Sequence, residues 1–251
     1  MTTSISIEAH AAALREGRTT SSALIEQALD RLGDPSGEGQ RTFVKVYADR
    51  ARAAARASDL LRSAGLSCSA LEGLPISIKD LFDVAGETTL AGSVVRQGAP
   101  AATEDAEVVR RLQAAGAIVI GRTNMTEFAY SGLGLNPHYG TPLNPWDRVT
   151  GRIPGGSSSG AAVSVADGMA VAGIGSDTGG SVRIPAALCG LTGFKPTARR
   201  VSMCGVLPMT MGMHLANILG AKEAEIVAYA TSGDVNGDYG RVVGYAGVII
   251  Q

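Results

Sequence analysis

Apolar positions recur with two different periods along this chain of 251 residues, and the period changes mark its elements. A short N-terminal segment has helical spacing. Behind Ser21 and Ser22, the residues Leu24, Ile25, Ala28, Leu29 and Leu32 fall on one face of a second helix, which either serine is expected to cap. "TFVKVY" (residues 42–47) has the composition of a strand. The alanine-rich run at 48–65 predicts a helix ended by Gly65. In "LPISIKDLFDV", Ile76 and Ile78 point one way from a strand while Ser77 and Lys79 point the other. Thr103 or Asp105 is expected to start a helix through "AEVVRRLQAAG", followed by a short buried strand, "AIVIG", at 117–121. Strand, helix and strand in this order imply an α/β fold whose strands pair at least partly in parallel. Towards the end of the chain, one helix is predicted over 222–230 and one strand over 241–250.

Residues 154–186 interrupt this regularity with eight glycines and six serines. Glycine and serine in bulk suggest a flexible tether. The apolar run between the two small-residue clusters argues for buried structure instead: Ala161, Ala162, Val163 and Val165, then Met169 to Ala172 and Ile174. Glycine in such a setting lets the backbone approach a neighbour closely or adopt a positive φ. The familiar glycine-rich motifs do not fit. Gly179-Gly180-Ser181-Val182-Arg183 ends in arginine where a nucleophile elbow ends in glycine. No lysine follows as in a phosphate-binding loop, and Thr178 stands where a dinucleotide fingerprint has its last glycine.

Composition narrows the function classes. A hydrophobic share of 45% with 18% charged residues supports a substantial core. A formal net charge of −1 gives no basic footprint for nucleic acid or an anionic membrane. No signal-like apolar region opens the chain and no run is long enough to span a bilayer, so a cytoplasmic location is expected. Cys68, Cys189 and Cys204 lack metal-ligand spacing and cannot form an even disulfide framework; neither a metal nor another cofactor is expected.

The glycine- and serine-rich stretch resembles the amidase signature family. The likeness lies in a sequence of motifs: "GLPISIKDLFDV", "GRTNMTEF" at 121–128, "GGSSSG" at 155–160, "GSDTGGSVRIPA" at 175–186 and "GLTGFKPT" at 190–197. It runs from about residue 8 to residue 208 and then stops. The resemblance implies a mixed, largely parallel central sheet covered by helices, here incomplete because the usual second half of the fold is missing. Residues 1–208 would form a partial amidase core and 209–251 a divergent tail. A sheet short of strands exposes edges and apolar surface, which favours association into a homo-oligomer.

The resemblance also implies a Ser–Ser–Lys triad acting on a small-molecule amide. Carried onto this chain, Ser181 is the nucleophile, Ser157 the bridging serine after a cis peptide bond, and Lys79 the general base. Ser157 and Ser181 stand 24 positions apart, the family's spacing, which selects Ser157 over Ser158 and Ser159. Ser131, in "YSGLG", matches a position that lines the acyl pocket in relatives. Each residue type suits this chemistry. A serine hydroxyl is a poor nucleophile without a base. Lysine is a base only when neutral, and walls such as Ile76, Ile78 and Leu81 would supply the desolvation that lowers its pKa. Backbone N–H groups of Thr178, Gly179, Gly180 and Ser181 are candidates for an oxyanion site. Asp177 and Arg183 would brace that turn as an ion pair.

Plainer roles stand beside these. Lys79 is also placed to pair with Asp80 or Asp83, Ser157 to Ser159 to cap a helix, and Ser181 to cap the segment that follows it. A histidine-based hydrolase would have to use His10, His138 or His214, and a cysteine nucleophile at Cys189 has no histidine nearby in sequence. Two further alternatives are a glutamine-hydrolysing amidotransferase subunit, which works with partners and tRNA, and a non-catalytic remnant of an amidase.

Overall fold

The computed structural model describes residues 6–197, 200–202, 204–206 and 246–250. The helix expected over 222–230 and His214 lie outside them. Six strands form one sheet in the order β1-β3-β2-β4-β6-β5: β1 (Phe43–Val46), β2 (Pro75–Lys79), β3 (Ile118–Thr123), β4 (Ala172–Ser176), β5 (Thr192–Phe194) and β6 (Ala246–Ile250). β2 pairs in parallel with both β3 and β4, while β1 and β6 run antiparallel to their neighbours. β3, β2, β4 and β5 therefore share one direction, the mixed, largely parallel arrangement expected.

The helices are α1 (Ile7–Arg15), α2 (Ser21–Gly33), α3 (Gly39–Thr42), α4 (Ala48–Ser63), α5 (Glu107–Ala114), α6 (Ser159–Ala166) and α7 (Arg183–Leu188). On one face of the sheet, Ile118 and Ile120 of β3 pack with Ile25, Ala28 and Leu29 of α2, Ala51 and Ala55 of α4, and the small side chains of α6. On the other face, Val119 joins Ile76 and Ile78 of β2, Ala172 and Ile174 of β4, and Val109 of α5. The period-two pattern of β2 thus sorts its side chains between two covered faces. Ser77 is fully buried and lies 2.8 Å, oxygen to oxygen, from Ser164 of α6.

α6 lies so close to β4 that side chains are excluded between them. A Cβ at Gly173 would fall 2.7 Å from the Ala161 carbonyl oxygen, and one at Gly175 would fall 2.6 Å from Ser158 Oγ. These two glycines allow the helix carrying the serine cluster to rest on the strand leading to Ser181.

Several element ends differ from expectation. Thr20, not Ser21 or Ser22, caps α2, accepting from the Ala23 N–H at 3.0 Å. The N–H groups of Ser21 and Ser22 are instead taken by Asp59 of α4, at 2.7 and 3.0 Å. α5 starts after Ala106 with no side-chain cap, because Asp105 accepts from the Ala85 N–H at 2.8 Å. The strand expected over 241–250 is described for its last five residues. Those residues lie between β4 and β5, paired with both, so this piece of the tail is part of the sheet.

Candidate active site

The candidate site sits where β2 and β4 end, at the start of α6, the usual position for a site in a sheet with parallel strands. Lys79 is the last residue of β2 and is completely buried. Its Nζ donates to Ser157 Oγ at 2.7 Å and to Ser176 Oγ at 2.9 Å. Neither Asp80 nor Asp83 pairs with it. The Asp80 carboxylate is held by Arg122 at 2.8 Å and by the Gly92 N–H at 3.0 Å, and Asp83 accepts from the Thr89 hydroxyl. Burial pushes the Lys79 amine down to about 7, against a smaller upward pull from the Asp177 carboxylate. At neutral pH a sizeable share of this lysine is therefore uncharged.

Ser157 is also fully buried, and the peptide bond before it, Gly156–Ser157, is cis. Its carbonyl accepts from the Thr126 N–H at 3.0 Å. The next residue, Ser158, is the N-terminal flanking residue of α6, but its side chain caps nothing. Its N–H instead donates to the Ser181 carbonyl at 3.1 Å, so the turns carrying Ser157 and Ser181 are joined directly. Ser181 is half-buried, and Thr178 and Gly179 beside it are exposed.

Asp177 organises this second turn. Its carboxylate accepts from the backbone N–H groups of Gly180, Val182 and Arg183, and both oxygens meet the Arg183 guanidinium at 2.8 and 2.9 Å. The expected ion pair is present. Ser181 does not cap α7: its N-cap is Val182, with no side-chain cap bond, and Asp177 accepts from the N–H groups of Val182 and Arg183. Burial works against the carboxylate, but these hydrogen bonds outweigh it and hold its pKa below the ordinary value. The Gly180 N–H, expected to face an oxyanion, donates here to Asp177 Oδ1 at 2.9 Å. The N–H groups of Thr178, Gly179 and Ser181 meet no protein acceptor among the described residues. Gly180 has a different necessity: its φ of 126° is a backbone conformation that side chains disfavour.

Ser131 lies in a loop against the same centre, since the Gly132 carbonyl accepts from the Gly156 N–H at 2.8 Å. Its own hydroxyl accepts from the Leu133 N–H at 3.2 Å. Tyr130, Leu133, Ile184 and Leu188 are exposed apolar side chains on this loop and on α7.

Among the described residues, the histidine and cysteine alternatives find no geometry. His138 Nε2 lies 3.0 Å from Glu127 Oε1, and no described histidine bonds to Ser157 or Ser181. Cys189 is buried, its thiol pushed up to about 12 mainly by burial. Among the described residues, no cluster of His, Cys, Asp and Glu could hold a metal ion, and no helix is long and apolar enough to cross a membrane. The residue that sequence reasoning missed is Ser176. It lies inside the motif at 175–186, but nothing local in sequence pairs it with Lys79.

Comparison with known proteins decides the family. The sequence profile described as Amidase matches residues 23–243. The chain belongs to the amidase family. It is 43% identical to the 1-carboxybiuret hydrolase subunit AtzE of Pseudomonas sp. (strain ADP), over 86% of this chain and 47% of that protein. It is equally 43% identical to a glutamyl-tRNA(Gln) amidotransferase subunit of Anaeromyxobacter sp. (strain K), over 92% of this chain and 42% of that one. The peptide amidase of Stenotrophomonas maltophilia superposes with a TM-score of 0.71 at 33% identity, covering 81% of this chain and 42% of the other. This amidase-family chain spans less than half the length of these relatives. The family's chemistry is hydrolysis of amide C–N bonds.

Proposed function

We propose that this chain carries the hydrolytic centre of an amidase, with Ser181 as nucleophile, Ser157 as relay and Lys79 as general base. The observation that supports it most is the buried Lys79 amine, 2.7 Å from the Ser157 hydroxyl and close to neutral at physiological pH. In the first half-reaction Ser181 Oγ bonds to the amide carbonyl carbon. Its proton passes to Ser157 Oγ as the Ser157 proton passes to Lys79 Nζ. The carbonyl oxygen becomes an oxyanion beside the N–H groups of Thr178, Gly179 and Ser181. The carbonyl re-forms, the C–N bond breaks, and the relay runs backwards to protonate the departing nitrogen. Water then attacks the acyl ester by the same relay, releasing the carboxylic acid and restoring Ser181. An oxyanion donor of this kind is worth about 3–4 kcal/mol of barrier. Ser131 is proposed to line the acyl side of this centre, and the substrate to be a small carboxylic amide.

A fluorophosphonate that traps serine nucleophiles tests this, read by mass spectrometry and paired with hydrolysis of a broad amide panel. Labelling on Ser181, lost in Ser181→Ala and Lys79→Ala, is the expected result. An inert, correctly folded protein would identify the non-catalytic remnant instead.

The identity with an amidotransferase subunit favours a second reading, in which glutamine is the amide and ammonia passes to a partner. Glutamine hydrolysis within the panel, exceeding that of simple amides, would select it. Both curated relatives named above are called subunits. β5 leaves one edge unpaired among the described strands, with Phe194 exposed, which suits association with a second copy. Light scattering across a concentration series checks this.

A further inference from the structure

We propose that Ser176 is a positioning residue for Lys79: its hydroxyl accepts one N–H of the neutral amine, which keeps the nitrogen lone pair off Ser176 and favours its presentation to Ser157. This deepens the Ser–Ser–Lys reading and depends on it.

A charged lysine presents three N–H donors and no lone pair; a neutral one presents two donors and one lone pair. To act as base, Lys79 must offer that lone pair, and not an N–H, to the Ser157 hydroxyl. Rotation about Cε–Nζ interconverts the two arrangements, so proximity to Ser157 alone does not choose between them. A second acceptor narrows the choice, because it excludes the arrangement that spends the lone pair on Ser176. Among the described residues Lys79 Nζ has two hydrogen-bond partners, Ser157 Oγ at 2.7 Å and Ser176 Oγ at 2.9 Å. Both are hydroxyls on buried residues. With an N–H given to Ser176, the lone pair is free to face Ser157.

Ser176 is itself held firmly. It is the last residue of β4, and β4 pairs with β2 through Ile174 beside Ile78, which brings Ser176 to the same sheet end as Lys79. Its carbonyl accepts from the Ser158 hydroxyl at 3.4 Å, tying it to the start of α6. The charged groups near Lys79 act differently. Asp177, the next residue, is engaged by Arg183, and Asp80, just after β2, is engaged by Arg122 of β3; α6 presents serines here. Asp177 acts on Lys79 through charge, whereas Ser176 acts through one hydrogen bond.

The chain has four lysines, Lys45, Lys79, Lys195 and Lys222, so carbon-13 signals of the lysine ε-methylenes can be assigned by substitution. The titration of the Lys79 signal and the pH dependence of fluorophosphonate labelling are measured in the wild type, Ser176→Ala and Ser176→Thr. The ammonium gains more from a hydroxyl acceptor than the amine does. Ser176→Ala should therefore move the Lys79 midpoint downwards, and lower the plateau labelling rate by about tenfold. Ser176→Thr, which keeps the hydroxyl, should restore both. An unmoved or raised midpoint in Ser176→Ala overturns the assignment, whatever happens to labelling. A lowered midpoint with undiminished plateau labelling overturns the orienting role. Failure of the underlying triad shows elsewhere, as labelling of wild-type quality in Lys79→Ala; the lysine titration itself requires no activity.

Discussion

Two cations are buried in neighbouring strands, and the protein treats them in opposite ways. Arg122 of β3 is 2% exposed and Lys79 of β2 is 0% exposed. Arg122 donates through Nε to the Asp80 carboxylate at 2.8 Å and through Nη2 to the Phe82 carbonyl at 2.9 Å, with Glu87 at 3.6 Å. Lys79, one residue before Asp80, receives two hydroxyls and no carboxylate. A buried charge with a bonded counter-charge keeps its charge and fixes geometry, here the turn after β2. A buried amine offered only neutral partners sheds its proton and becomes a base. Residue type does not distinguish the two roles; the partner does.

The largest effect that can break this contrast is catalytic. Lys79→Met fills the same space without a basic nitrogen. It should lower fluorophosphonate labelling of Ser181 by at least about 100-fold, the lower end for a general base. Circular dichroism should stay unchanged. A variant labelled as fast as the wild type would make Lys79 a second structural cation and dissolve the contrast.

Arg122→Met makes the complementary cut. It leaves the Asp80 carboxylate buried without its partner, and should lower unfolding free energy by about 3–5 kcal/mol in a urea titration. Arg122→Lys should recover only part of this, because an ammonium cannot reproduce the planar fork that meets Asp80 and the Phe82 carbonyl together. A loss below about 1 kcal/mol for Arg122→Met would mean that the pair does not organise the turn.

Stability against pH separates the two cations further. The Lys79 amine titrates near 7 when folded, against an ordinary 10.5. Its folded value is depressed, so between these pH values the unfolded chain binds the extra proton and stability rises with pH. Below pH 7 both states are protonated, and the wild type bears the full penalty of a buried ammonium. Lys79→Met removes that penalty. Its advantage over the wild type should be a few kcal/mol at pH 6 and should narrow towards pH 10. Parallel stability curves for the two proteins would show that Lys79 does not titrate as a buried amine.

The sequence made the scaffold legible wherever local pattern decides it. Leu24, Ile25, Ala28 and Leu29 do face the core from one side of α2, and the alternation in β2 does divide its side chains between two layers. It failed where a partner distant in sequence intervenes. Asp59 takes the N–H groups of Ser21 and Ser22, and the Ala85 N–H draws Asp105 away from the start of α5. The motifs located Lys79 and Ser157, which the fold joins across 78 positions. They assigned no role to Ser176, whose contact with Lys79 arises from the pairing of β2 and β4. Nor does any local feature of "AGVII" indicate insertion between β4 and β5, because an apolar strand of that kind fits any buried position in a sheet.

The smallest effect comes from the group that links charge to the lysine site at a distance. Asp177 pulls the Lys79 pKa upwards, and Arg183 offsets that pull by pairing with both Asp177 oxygens. In Arg183→Met the carboxylate keeps its three backbone donors, so it remains placed and ionised, but its charge is no longer balanced. Lys79 should then hold its proton more tightly. The rising limb of labelling against pH should move to higher pH, lowering the rate at neutral pH by about two- to threefold with the plateau retained. The effect is modest because the Arg183 side chain is 50% exposed and water screens its contribution. A limb displaced to lower pH would show that Arg183 does not act on Lys79 through Asp177. A lost plateau with an unmoved limb would assign Arg183 to the shape of the 178–181 turn instead.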